Sequence, residues 1–458
     1  MKRFVKVLII AFLFPVVPLF ADYNRFNVPD SAEIRKDLVD TWFTEPIELI
    51  RQRNPEIRTN SIGQKFQIRC EESEDYFSIF VSPETEIPID VYTDSAVTTI
   101  KKTEYPIDIC GSWVLVRNKT DGSPIRIRYY FSADSDVYIQ IAPFSRYTLA
   151  DMVIFRNYAS RGLQLGLPFE RFYSASFEQL YQWTSSILPW NYVTINTNQY
   201  HSTLQMIQVI RENLPSIVYT DDAIYDEAGR PVYLSTGKPR KVSEENRKKL
   251  TLCEPGFVKW VVDGLIYPIT GSYTFREPLL APTVEFKSVG FQGIIDSVYD
   301  LSFSLNWTRN LAAASLSVFA NKKYLYSESG VDVTTEPFCA ELIDGKIVNN
   351  AGYIKDTGYE AGKLKAILYV LASTNPSFCY LAAIRSNSQT TPEVRPFNHC
   401  AVIFPYFDSN GRFDCVVFAN GTEVSLSYFL QRYKNDFIHL TRVETEDQFF
   451  PQTAESTK

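Results

Sequence analysis

Apolar and polar positions repeat with two different periods along this chain, and the change of period divides it. From Phe66 the period is two. Phe66-Gln67-Ile68-Arg69-Cys70 alternates, and Tyr76–Val81, Ile87–Tyr92, Val97–Lys101, Trp113–Arg117, Ile125–Phe131 and Val137–Ile141 read as further short strands. Lys119–Pro124 supplies the turn residues of a hairpin between two of them. Short strands with frequent turns predict an antiparallel, β-sandwich-like domain over roughly 60–150. Arg156–Pro168, with Gly162 and Gly166, reads as a connection. Beyond it the period lengthens. Phe177–Leu188 is helical by spacing behind a Ser176-x-x-Gln179 capping box; Ser202–Leu214 repeats the pattern with Ser202-x-x-Gln205 and stops at Pro215. Helical spacing returns in Phe257, Val258, Trp260 and Val261, with Gly264 as a stop, and again in Leu305–Phe319. Ile217–Tyr219, Ala223–Tyr225, Pro231–Leu234, Leu364–Leu371 and Phe378–Ile384 read as strands, and Tyr267–Glu285, with Pro268, Pro278 and Pro282, as loop. The predicted class is therefore α+β. The β-rich domain leads to an α+β domain over roughly 170–445, and a polar tail, 446–458, should fray.

Composition narrows the class of function. The chain has 458 residues, more than one ordinary domain. Its 45% apolar and 22% charged residues are those of a globular protein, and 28 Tyr with 32 Phe suit β-structure. A net charge of −7 gives no general affinity for nucleic acid or an anionic membrane. Met1–Ala21 reads as a signal peptide: Lys2, Arg3 and Lys6 precede an uncharged run, and Leu19-Phe20-Ala21 suits cleavage. That run is short for a transmembrane helix, which needs about 20 residues, and no later run spans a membrane. The mature chain is expected to start near Asp22, exported to the periplasm or beyond. Three histidines without nearby Cys or Asp spacing give no metal motif, and no Gly-rich phosphate loop is present, so no cofactor is expected.

The candidate chemistry lies in the cysteines. Export permits disulfides, but seven cysteines cannot all pair within one chain. Cys70–Cys110 is a candidate bridge, and Cys253 the candidate free thiol. Pro255 suits a first helical turn, which sets Cys253 at a helix N-terminus, where partial positive charge favours a thiolate. The competing reading is a structural cysteine ahead of a core helix. A thiolate nucleophile needs a base. His399 heads an apolar strand well downstream; His439 is its rival, and His201 reads as a surface or cap residue. A hairpin turn at Asp408–Gly411 would bring Asn420 opposite His399 as the orienting group, although Asn420-Gly421 is equally a type I′ turn pair.

Cys253, followed by Gly256-Phe257-Val258-Lys259-Trp260-Val261, with a histidine heading a later strand hairpin, resembles the NlpC-type cysteine peptidases. These papain-like enzymes cut peptide or amide bonds in cell-wall peptidoglycan stems. The resemblance implies a papain-like fold for 170–445, Cys253 as nucleophile, His399 as base, and peptidoglycan or peptide as substrate. Leu252 stands where the family has aspartate, Glu254-Pro255 adds a residue before the glycine, and the upstream Tyr-x-Trp-Gly-Gly is missing. The alternative is an exported, non-enzymatic envelope binding protein built on a degenerate hydrolase fold.

Overall fold

A computed structural model of the chain describes residues 28–93, 96–284, 301–343, 346–348, 352–386 and 395–454. The signal peptide expected at Met1–Ala21 lies outside them. All the strands expected between Phe66 and Ile141 form. They belong to one eight-stranded antiparallel sheet of Glu56–Thr59, Lys65–Glu72, Tyr76–Pro83, Trp113–Asn118, Pro124–Tyr129, Val137–Phe144, Tyr147–Ile154 and Asn157–Leu165, neighbours in chain order, plus a separate hairpin of Thr85–Thr93 and Ala96–Glu104. The expected second layer of a sandwich is replaced by helical segments. Ile68, Phe77, Trp113 and Tyr129 pack with Trp42, Phe43 and Phe177. Arg156–Pro168 is not a connection: most of it is the last strand of this sheet. Register shifts at Ser160 break its alternation, which is why the pattern was illegible.

The second sheet has six strands, in the order Tyr359–Glu360, Phe437–Glu444, Phe378–Arg385, Phe397–Phe407, Phe413–Ala419 and Thr422–Ser425, all antiparallel. Mixed helix and antiparallel sheet make the chain α+β. Leu364–Leu371, expected as a strand, is instead part of the helix Leu364–Thr374. A short, wholly apolar run suits either element, and here it lies buried as a helix against the sheet. Ser176 and Gln179 form the expected capping box. Ser202 and Gln205 do not: the helix is His201–Asn213, and both side chains bond Asp447 instead.

Two 17-residue helices, the central helix Glu254–Thr270 and Phe303–Phe319, pack against each other and against this sheet. Every residue from Glu254 to Ile266 is buried. The apolar face seen in the sequence is therefore only part of its buried surface. Phe257, Val258, Trp260 and Val261 pack with Cys400, Val402, Phe404, Val416 and Phe418 of the sheet and with Trp307 and Leu311. Gly264 is no stop. A Cβ there would lie 2.5 Å from the Phe449 ring, so the glycine serves close packing, and the helix ends at Gly271 with φ of 71°. Pro268 sits inside the helix, so the loop expected from Tyr267 begins only after Thr270. The tail expected to fray wraps this helix instead. Phe449 and Gln452 are both 3% exposed, Trp260 Nε1 donates to Gln452 O at 2.8 Å, and Phe450 N donates to Gly264 O at 2.8 Å.

Besides Glu254 at its start, two charges are fully buried in the body of the helix. Lys259 Nζ donates to Asp263 Oδ2 one turn on, both side chains fully buried, while Asp263 Oδ1 accepts from Thr274 N and Oγ1 at 2.9 and 2.8 Å. Lys259 also lies 4.0 Å from the Tyr225 ring. Removing one partner strands the other, at a cost of about 3–5 kcal/mol. Lys259→Met should lower stability by about that amount in urea denaturation. The double variant Lys259→Met/Asp263→Leu should recover part of the loss, because no unpaired charge remains buried.

Candidate functional site

Cys253 is the N-cap of the central helix, as the position of Pro255 predicts. It follows the short strand Leu250–Leu252, which pairs in parallel with Ile217–Tyr219. Its amide donates to Ala223 O at 2.8 Å. Gly256 lies against the same carbonyl: a Cβ there would be 2.7 Å from Ala223 O. The spacing of Cys253 and Gly256 thus lets the helix start press onto this strand. The thiol is free, as are the other six, so Cys70–Cys110 is not bridged.

The thiol is not activated in this state. Cys253 is 5% exposed, and burial pushes its pKa up to about 11, against the opposing effect of the Gly256 amide. The helix start favours the thiolate, but desolvation outweighs it. Asp222 adds a like charge nearby.

His399 comes to the same helix start from 145 residues beyond Glu254, but it meets the carboxylate rather than the thiol. Its Nδ1 lies 3.1 and 3.3 Å from the two Glu254 oxygens, and Glu254 Oε2 also accepts from Cys400 N at 3.4 Å. No hydrogen bond joins Cys253 to His399. Strand parity explains this. Cys400, Val402 and Phe404 face the central helix, whereas Ala401 and Ile403 face the core on the other side of the sheet. His399 shares the parity of Ala401 and Ile403, so its face of the strand is turned away from the body of the central helix. The imidazole sits at the strand's start, a third exposed, with the Tyr433 ring centred 6.0 Å away.

Asn420 does not orient His399. The loop of that hairpin runs from Asp408 to Arg412, one residue longer than expected, and Ala401 pairs with Ala419 at the end of the ladder. Asn420 and Gly421 then take φ of 54° and 67° and close the next hairpin as a type I′ turn. The carboxylate that holds His399 is Glu254, which sequence reasoning missed. Its signal was an acidic residue in the first turn of a helix, beside the candidate nucleophile.

The rival, His439, is fully buried elsewhere. Its Nε2 lies 3.3 Å from Asp332 Oδ2, 3.3 Å from Arg309 Nη2 and 3.2 Å from the Tyr353 hydroxyl. His201 is exposed at the surface beside Asp447, as expected of a cap or surface residue. Among the described residues no cluster of metal-ligating side chains occurs, and no helix is long and apolar enough to cross a membrane.

A family model described as a domain of unknown function, DUF8515, matches residues 24–192. The match covers the eight-stranded sheet and ends before Cys253, Glu254 and His399. No curated protein and no solved structure matches the chain.

The buried thiol sets an expectation for its reactivity. Iodoacetamide should modify Cys253 slowly at pH 7, and the rate should climb about tenfold per pH unit toward pH 10, following the thiolate fraction. A rate that levels off below pH 8 would show a thiol far more acidic than this environment allows.

Proposed function

We propose that the second unit is a thiol hydrolase acting on peptide or amide bonds, with Cys253 as nucleophile, His399 as base and Glu254 as the orienting group. The supporting observation is the meeting of His399 with the residue next to Cys253, at the start of a helix packed on an antiparallel sheet. With Glu254 accepting from Nδ1–H, the other ring nitrogen is left as the basic one. Among the described residues Nε2 has no hydrogen-bond partner, and it belongs to a partly exposed side chain.

In the reaction, Nε2 takes the thiol proton, sulfur attacks the amide carbonyl, and the imidazolium returns the proton to the leaving amine. Water then releases the acyl group. The developing oxyanion cannot use the Cys253 amide while Ala223 O holds it, so the Gly256 amide is the donor at the helix start. Substrate must bring sulfur and Nε2 within hydrogen-bond reach. Such contacts tighten in the substrate complex. Export and a peptidoglycan stem substrate belong to the same reading, through the signal-like amino terminus and the resemblance at Cys253–Asp263.

The alternative, a non-enzymatic envelope binding protein, is favoured by two specific observations: the thiol is buried, and its amide is committed to Ala223. Hydrolysis of purified peptidoglycan stem peptides by the full chain separates the two. Under the hydrolase reading Cys253→Ala abolishes cleavage, while His399→Ala and Glu254→Gln each lower kcat by about 10²–10⁴-fold. Asn420→Gly, which keeps the turn, leaves cleavage intact. A wild-type chain that cleaves none of these peptides, while folded by circular dichroism, leaves the binding protein as the function.

A further inference from the structure

The hairpin of Thr85–Thr93 and Ala96–Glu104 belongs to neither large sheet. It joins Tyr76–Pro83 to Trp113–Asn118, two strands that pair with each other directly, so it is an excursion from one end of that pair. Its base is pinned. Lys65 Nζ lies 3.3 Å from Glu84 Oε2, the Tyr105 hydroxyl donates to the same oxygen at 2.7 Å, and Arg69 Nη1 donates to Tyr105 O at 2.8 Å. Among the described strands, these two pair only with each other.

A two-stranded ribbon is marginal alone, because it buries too little apolar surface. Ile89 and Ile100 are cross-strand partners, and Ile87 lies two residues from Ile89 on the same side. Ile87 and Ile89 are each 37% exposed and Ile100 49%, so the ribbon carries an open apolar stripe. Its two edges differ. Thr93 and Ala96 pair across a two-residue connection, so they bond each other, and so does every second pair down to Thr85 and Glu104. The intervening positions turn their backbone groups outward. On the first strand these include Pro88, which has no N–H, and a proline on an edge blocks strand addition. On the second strand they are Val97, Thr99, Lys101 and Thr103, and none is proline.

We propose that the Ala96–Glu104 edge pairs antiparallel with the same edge of a second copy of this chain, making a four-stranded ribbon around a two-fold axis. A two-fold requires the strand to suit itself, and this one does. With Ile100 opposite the partner's Ile100, Lys101 faces the partner's Thr99, and Thr103 faces the partner's Val97. The outward positions then bond in pairs, with about eight hydrogen bonds in all. The isoleucine stripe continues across the axis. Lys102 faces the partner's Thr98, so no like charges stand directly opposite. Within each copy Lys101 is neutralised by Glu86 at 2.8 Å and Lys102 by Glu104. Val97, Thr98, Thr99, Ile100 and Thr103 are β-branched, as strand pairing favours. The proposal is independent of hydrolysis at Cys253.

Sedimentation equilibrium of the full chain tests it. The wild type should pass from one to two chain masses between about 1 and 100 μM. Ile100→Lys and Ile100→Glu each set like charges together at the axis. Each should weaken association at least about tenfold, with circular dichroism unchanged at this exposed position. Mixed in equal amounts, the two variants should associate again, because each charge then meets its opposite. A wild type that stays at one chain mass at about 100 μM overturns the proposal. So does a dimer that both variants leave intact, or one that mixing them fails to restore.

Discussion

The architecture depends on burying one helix on all sides. Thirteen consecutive residues, Glu254 to Ile266, are shielded from solvent, and two of them are Lys259 and Asp263. Bare charges of this kind are tolerable only with a partner and with their remaining hydrogen-bonding capacity filled. The helix geometry supplies the partner at i+4, and Thr274 fills the other carboxylate oxygen. The surrounding elements are then fixed by what the helix presents. Trp260 needs an acceptor and finds it in Gln452, which draws the last residues of the chain across the helix. Gly264 leaves room for Phe449 on that path. A tail that looks polar and dispensable in sequence is thus part of the core's hydrogen-bond accounting.

The same burial explains the state of the thiol. A pKa near 11 leaves roughly one thiolate in ten thousand at pH 7, a deficit of about 5.5 kcal/mol relative to full ionisation. A helix N-terminus returns about 0.3–2 kcal/mol of that. It cannot offset desolvation without a cation or a base in contact. His399 is a nearby group suited to supply this, and it is turned to Glu254. The resemblance around Gly256 and Phe257 also has a packing cause, because Ala223 O leaves no space for a side chain at 256. Cys-to-Gly spacing at a helix start is therefore required by the fold here, whatever the thiol does.

Much of the amino-terminal sheet was legible because short runs rich in β-branched and aromatic residues, bounded by turn residues, mark its strands even where both sides are buried, as in Tyr76–Pro83 and Trp113–Asn118. Legibility failed where period two was interrupted or masked. Ser160 sits at two register shifts in the last strand, and Leu364–Leu371 is apolar at nearly every position, so no period distinguishes helix from strand. For the site, the cysteine at a helix start was readable from Pro255 alone. The face of His399 was not. It turns on the register of one hairpin, where a loop longer by a single residue changes the partner of every position, and on the coverage of each sheet face, which only the tertiary fold decides.

Parity also defines what a competent site would require. His399 reaches the helix start only because the Phe413–Ala419 strand stops pairing at Ala401, which leaves the edge at 399 and 400 open to Glu254. One carboxylate then holds both the imidazole and the Cys400 amide. Releasing the amide would cost about a hydrogen bond, on the order of 1 kcal/mol. Moving the ring to the other face would require the strand itself to rotate, and its neighbours Cys400 and Val402 are locked in the core. The cheaper motion is at the cysteine. Its side chain turns about one bond, and its main chain is tied by two hydrogen bonds, Cys253 N to Ala223 O and Phe257 N to Cys253 O, both 2.8 Å. In the proposed hydrolase the Gly256 amide is the oxyanion donor, and releasing the Cys253 amide from Ala223 O would add a second donor beside it, so the Cys253–Ala223 bond bears on oxyanion binding independently of His399.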